Sequence, residues 1–151
     1  MTTATLQTPA STDEAEILAL LAGVRKAHLD KSAGGIAAPY APHAAVYDLE
    51  PPLAHDGIEV GRKERWLASW ETPVELEARD LWLRVSGDLA FAHGYMRMSG
   101  KKHGAERGVS FWMRETVCLE RVGGAWKIVH EHTSVPFYMD ASLRPAFDLE
   151  P

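Results

Sequence analysis

The chain has 151 residues, of which 46% are hydrophobic and 25% charged, and its formal net charge is −5. That length suits one domain burying roughly 70% of the surface its unfolded chain exposes, so folding needs neither disulfides nor a structural metal. The acidic excess is spread along the chain and excludes the basic footprint of a nucleic-acid binder. No apolar run approaches the ~18 residues of a membrane span. Cys118 is the only cysteine, which rules out an internal disulfide framework and fits a reducing cytoplasm. The opening MTTATLQTPASTDEAE has neither the basic region nor the apolar run of a signal peptide, so a cytoplasmic location is expected.

Residues 1–11 carry no periodicity and read as a disordered lead. In STDEAE, Ser11, Thr12 or Asp13 offers an N-cap, and the acids that follow suit the helix dipole. Ile17, Leu20, Leu21, Val24, Ala27 and His28 then recur at helical spacing and make one apolar face, until Gly34 and Gly35 stop the helix. A short second helix is predicted over residues 36–40, crowded by Pro39 and Pro42. AAVYDLEPPL predicts a strand at 45–49 that ends at Pro51 and Pro52. Residues 58–71 predict a helix carrying Trp66 and Trp70 as an i,i+4 pair.

After Pro73 the apolar period becomes two, predicting strands at 74–85, 89–98, 107–121 and 125–134. The separators carry the glycines and small polar residues that hairpins use. Residues 138–151 read as an extended tail. Helices gathered in the first half and an antiparallel meander in the second predict an α+β fold, its sheet wrapped around the helices and leaving a cavity.

The segment YAPHAAVYDLEPPLAHDG, placed after two helices, and the ending CLERVGGAWKIVHEHTSVPF resemble the NTF2-like superfamily, within it the SnoaL-like, ketosteroid-isomerase-like branch. WKIVHEHTS is also similar to the association domain of calcium/calmodulin-dependent kinase. The resemblance covers residues 12–137. It implies a cone-shaped, cystatin-like α+β fold with N-terminal helices packed in a strongly curved antiparallel sheet. It also implies a deep pocket for a small-molecule ligand and a homodimer through the outer sheet face. This fold hosts isomerases, cyclases, dehydratases and hydrolases as well as non-catalytic binding or self-association domains, so both classes of function stay open.

The position of Asp48 resembles that of the catalytic aspartate of ketosteroid isomerases. A carboxylate in an apolar cavity is desolvated and becomes a usable proton shuttle; the alternative is an aspartate capping the turn before Pro51. The sequence departs from that family in the first helix, where Val24 and its neighbours occupy the region of the oxyanion-hole tyrosine.

In AWKIVHEHTSVPF, strict alternation puts Trp126, Ile128, His130, His132 and Ser134 on one face, and hence both imidazoles at the pocket rim. They are candidate acid/base partners of Asp48, with metal ligation through H-x-H and a purely structural role as alternatives. No further His/Cys cluster stands at ligand spacing, so no metal is expected, and without any nucleotide-binding or nucleophile-elbow motif no cofactor is expected either. Alternation in SFWMRETVCLER puts Trp112, Arg114, Thr116 and Cys118 on one face and Phe111, Met113, Val117 and Leu119 on the other. Arg114 is a candidate contact for an anionic group of the ligand, or else a surface partner of Glu115 or Glu131. Trp66, Trp112, Tyr47 and Tyr95 are candidate lining for a flat or cyclic ligand. Cys118 reads as packing, and the other histidines, His28 included, as surface or loop residues, with His93 within its strand the exception.

Overall fold

The structure is a computed structural model and describes residues 12–151. The disordered lead expected over 1–11, and Ser11 as a cap, lie outside the described residues. Helix α1 spans Thr12–Leu29 and α2 Ala33–Ala37. Strand β1 (Tyr40–Tyr47) and the two-residue β2 (His55–Asp56) precede α3 (Val60–Ala68). Four long strands follow: β3 (Glu75–Ser86), β4 (Leu89–Gly100), β5 (Val109–Val122) and β6 (Ala125–Ser134).

The six strands form one sheet in the order β2-β1-β6-β5-β4-β3. The meander is antiparallel, whereas β1 runs parallel to β6, so the sheet is mixed. The four long strands match expectation because their apolar alternation and glycine turns are local signals. Three readings are corrected. The second helix comes earlier, at Ala33–Ala37, with the Ser32 hydroxyl accepting from the Gly35 N–H as its cap. Strand β1 begins at Tyr40 because its pairing with β6, not its own propensity, sets its start. The tail is folded back on itself: Phe137 bridges Pro145, the Ala146 N–H donates to Pro136 O at 2.8 Å, and Phe147 packs 4.5 Å from Phe111.

The concave face of the sheet closes over α1. Ile17 and Leu21 sit among Val46, Ala90, Ala92, Val117, Leu119, Trp126 and Ile128, and Ile17 is wholly buried. Removing this apolar surface from water is the main stabilising term of the fold. Curvature comes from irregular pairing, since extra residues in one strand bend it and sharpen its twist. On β3, Arg79 faces Tyr95 but Trp82 faces His93, so one residue is extra, and Asp80 takes φ 52° there. Gly94 lies under this bulge, where a Cβ would stand 3.0 Å from Leu81 Cα, which is why a residue without a side chain is needed.

On β6, Leu119 faces Ile128 but Cys118 faces His130, which leaves Val129 as the extra residue. The alternation of β6 therefore changes phase at Val129. Trp126 and Ile128 point to the core as expected, but beyond the bulge it is Glu131 and Thr133 that reach the cavity. His130 and His132 turn to the outer face.

Candidate functional site

A cavity of about 130 Å³ opens between α1, α3 and the inner face of the sheet. Its walls are mostly apolar: Leu21 and Val24 of α1, Ile58, Trp66 of α3, and Met96, Met98 and Met113 of β4 and β5. Ionisable groups line it as well: Arg25, His28, Tyr40, Asp48, Glu50, Lys63, Glu115 and Glu131.

The two glutamates come from paired strands. Glu115 is opposite Thr133 and Val117 opposite Glu131, so the two carboxyls sit diagonally on one face of the β5–β6 ladder. Burial raises both, and like charge adds to it: Glu131 raises Glu115, and Asp48 raises Glu131, because like charges do not ionise together cheaply in an apolar wall. Glu115 is pushed up to about 8 by burial and by Glu131, against the opposing pull of Arg25. At neutral pH it is therefore a carboxylic acid able to donate a proton. Glu131 is raised by burial, while the Tyr40 hydroxyl donates to its Oε2 and Lys63 adds a favourable charge. Those two contacts, with the charge of His130, pull Glu131 back toward its ionised form against burial and Asp48. Burial and the same glutamate push Tyr40 well above its ordinary value, so it remains a donor.

His28 closes the α1 side of the cavity and is 9% exposed, not the surface residue expected. Its Nδ1 lies 2.8 Å from Val24 O, and a carbonyl can only accept, so Nδ1 carries the hydrogen and Nε2 the lone pair. Burial lowers it to about 4, which keeps the ring neutral. Lys63 is 8% exposed, with its ammonium 4.8 Å from the centre of the Trp66 ring.

Of the residues expected at the site, Asp48 and Trp66 do line the cavity. Asp48 also accepts the Leu49 N–H at 2.7 Å, so lining and capping are both real. The imidazoles do not line it. His130 and His132 are packed edge-on against Tyr47 on the outer face, with ring centres 4.9 and 5.4 Å from it, and His130 Nδ1 donates to Ala45 O at 2.7 Å. The Val129 bulge is the reason. Tyr47, next to the inward Val46, is outward by the alternation of β1.

Arg114, Trp112 and Tyr95 are also outside, because the inner row of β5 is Phe111, Met113, Glu115, Val117 and Leu119. Arg114 donates to Ser134 Oγ, and Trp112 lies under Arg79 and Arg97, with Tyr95 beside it against the folded tail. Sequence reading missed Glu115 and Glu131. The signal for Glu115 was present, a lone acid in an otherwise apolar row; Glu131 was hidden by the bulge. Among the described residues, no group of three His, Cys, Asp or Glu side chains stands close enough to hold a metal ion.

A SnoaL-like domain model matches residues 38–138. The chain belongs to the SnoaL-like family of the NTF2-like superfamily. An NTF2-like protein of unknown function from Pseudomonas putida KT2440 is 32% identical, with TM-score 0.82 over 94% of this chain and 99% of that one. A proposed calcium/calmodulin-dependent protein kinase II association domain from Xanthomonas campestris is 19% identical, TM-score 0.70, over 85% of this chain and 91% of that one. A proposed scytalone dehydratase from Novosphingobium aromaticivorans is 12% identical, TM-score 0.71, over 91% and 95% respectively. At those last two identities the likeness is one of fold. A comparison with curated proteins gives no match. This SnoaL-like chain thus shares the curved α+β architecture of proteins described as having a cystatin-like fold.

Proposed function

We propose that this SnoaL-like protein binds a small, partly apolar organic molecule in its cavity and moves protons on it without a cofactor, as isomerases, cyclases, dehydratases and hydrolases do. The observation that supports this most is the Glu115/Glu131 pair. Two carboxyls whose surroundings separate an acid from a base supply both partners of a proton transfer at neutral pH. Glu131, held by Tyr40, takes the proton from an acidic C–H of the ligand. Glu115 donates to the oxygen on which charge develops, and water is limited by the methionine-rich wall. Asp48, further along the wall, is a second carboxylate that steers charge in the cavity. The dehydratase-like neighbour fits this chemistry.

The test is solvent exchange. Small enolisable carbonyl compounds incubated with the protein in deuterium oxide acquire deuterium at the acidic carbon faster than in buffer, as followed by proton NMR. Rates equal to buffer across a broad panel would leave a non-catalytic binding domain as the better reading.

The outer face supports self-association. Tyr47, Trp82, Phe91 and Tyr95 are each 40–43% exposed there, among arginines, which is the composition of interface cores. A homodimer through this face is expected to sediment as such, and Phe91→Glu to sediment as a monomer.

A further inference from the structure

Beyond favouring ionised Glu131, Lys63 takes no part in the proton transfer just described, yet it is among the most buried charged residues of those described, with 8% exposure. An ammonium taken out of water needs a counter-charge or hydrogen bonds. Among the described residues it makes no hydrogen bond and no salt bridge; the face of Trp66 lies 4.8 Å away, and Glu131 attracts it only from a longer distance.

The carboxylates around it are otherwise engaged. Glu50 is held by Arg62 Nη1 at 2.8 Å, and Glu59 caps α3 by accepting from the Gly61 and Arg62 N–H groups. Glu131 accepts from Tyr40, and Asp48 accepts the Leu49 N–H. Glu115 keeps its proton up to about 8. The cavity wall therefore carries a lysine, 8% exposed, that no carboxylate of the fold pairs with directly.

We propose that Lys63 is the anion anchor of the cavity, and that its ligand is a small carboxylic acid bound as the carboxylate with its apolar body against Trp66, Met96, Met98 and Met113. This rests on the reading of the cavity as the ligand site. Arg25, the other cation of the wall, acts on Glu115, which leaves one ammonium for a monoanion. A phosphate dianion would bring a second charge against Asp48 and Glu131. The volume of about 130 Å³ is close to the roughly 150 Å³ of an apolar cavity that admits benzene in another protein. One ring or a short branched chain is the size admitted.

The test is calorimetric titration of the full chain at pH 6.5 with benzoate, phenylacetate and isovalerate, each beside its neutral amide, and with inorganic phosphate. Wild type is expected to bind at least one carboxylate about tenfold more tightly than its amide, the equivalent of ~1.4 kcal/mol. Lys63→Met, which keeps an unbranched stem, should erase that preference, and Lys63→Arg should retain part of it. The inference is overturned if no carboxylate beats its amide in wild type, if Lys63→Met keeps the preference, or if phosphate binds as tightly as the carboxylates. Amides binding as well as acids, with deuterium exchange intact, would remove the anchor and leave the proton-transfer site standing. Loss of both would remove the two together.

Discussion

Glu115→Gln should make the protein more stable at alkaline pH, by an amount that grows as the pH rises from about 4.5 to about 8 and then levels off. The Glu115 carboxyl titrates near 8 in the fold against an ordinary 4.5, so between these values the folded state binds the extra proton. Stability then falls as pH rises through that window. His28 works the other way: its ordinary 6.5 is lowered to about 4, so the unfolded chain binds the extra proton between those values, and stability rises with pH there. The two oppose each other between 4.5 and 6.5 and leave a plateau. Above it only the carboxyls act, Glu131 with the same sign as Glu115. Gln resembles the protonated acid, keeps a donor for the cavity and cannot ionise. The expected gain at pH 9 is ~2–4 kcal/mol, below the full linkage value because the pair shares the shift. For a chain of this size that is on the order of 5–10 °C in Tm. Melting curves of wild type and variant at four pH values decide it: parallel curves would mean that Glu115 is not the group held protonated.

The second large effect is kinetic. For any compound whose exchange or turnover the protein accelerates, Glu131→Gln should lower the rate about 10²- to 10⁴-fold, since a general base is removed while the Tyr40 hydroxyl keeps an acceptor. His130→Gln and His132→Gln should leave the rate near wild type, because both rings stand on the outer face beside Tyr47. The three variants measured together separate the two possible phases of β6. A loss confined to the histidine variants would mean that the imidazoles carry the chemistry. Asp48→Asn belongs in the same series: an unchanged rate confines the base role to Glu131, and a loss comparable to Glu131→Gln gives Asp48 a share in it.

Much of this architecture is written locally. The apolar face of α1, the alternation of the four long strands and the glycines at their turns give the element order and the α+β class, because each depends only on residues a few positions apart. The same local alternation on β5 set Phe111, Met113, Val117 and Leu119 apart from Trp112, Arg114 and Cys118, as the structure has them. It could not tell which row faces the cavity, since that depends on what packs against the sheet. The segment from Tyr40 to Gly57 and the ending at Phe137 carried the family resemblance, and Asp48 and Trp66 reach the cavity wall as read.

What one chain segment cannot announce is a change of pairing register. A single extra residue at Val129 turns His130 and His132 outward and Glu131 and Thr133 inward, since side chains alternate with a period of two. Whether a residue is extra depends on the partner strand, and no feature of AWKIVHEHTSVPF states it. The buried acid pair has the same origin, because Glu115 and Glu131 are 16 positions apart and meet only when β5 and β6 pair. Their raised pKa values, the neutral His28 and the unpaired Lys63 follow from enclosure by α1 and α3, which the sheet's curvature alone creates. The sequence by itself determined the elements, the family and the residue types available for chemistry. The tertiary structure decided which of them face one another, because burial and register arise from contacts between distant parts of the chain.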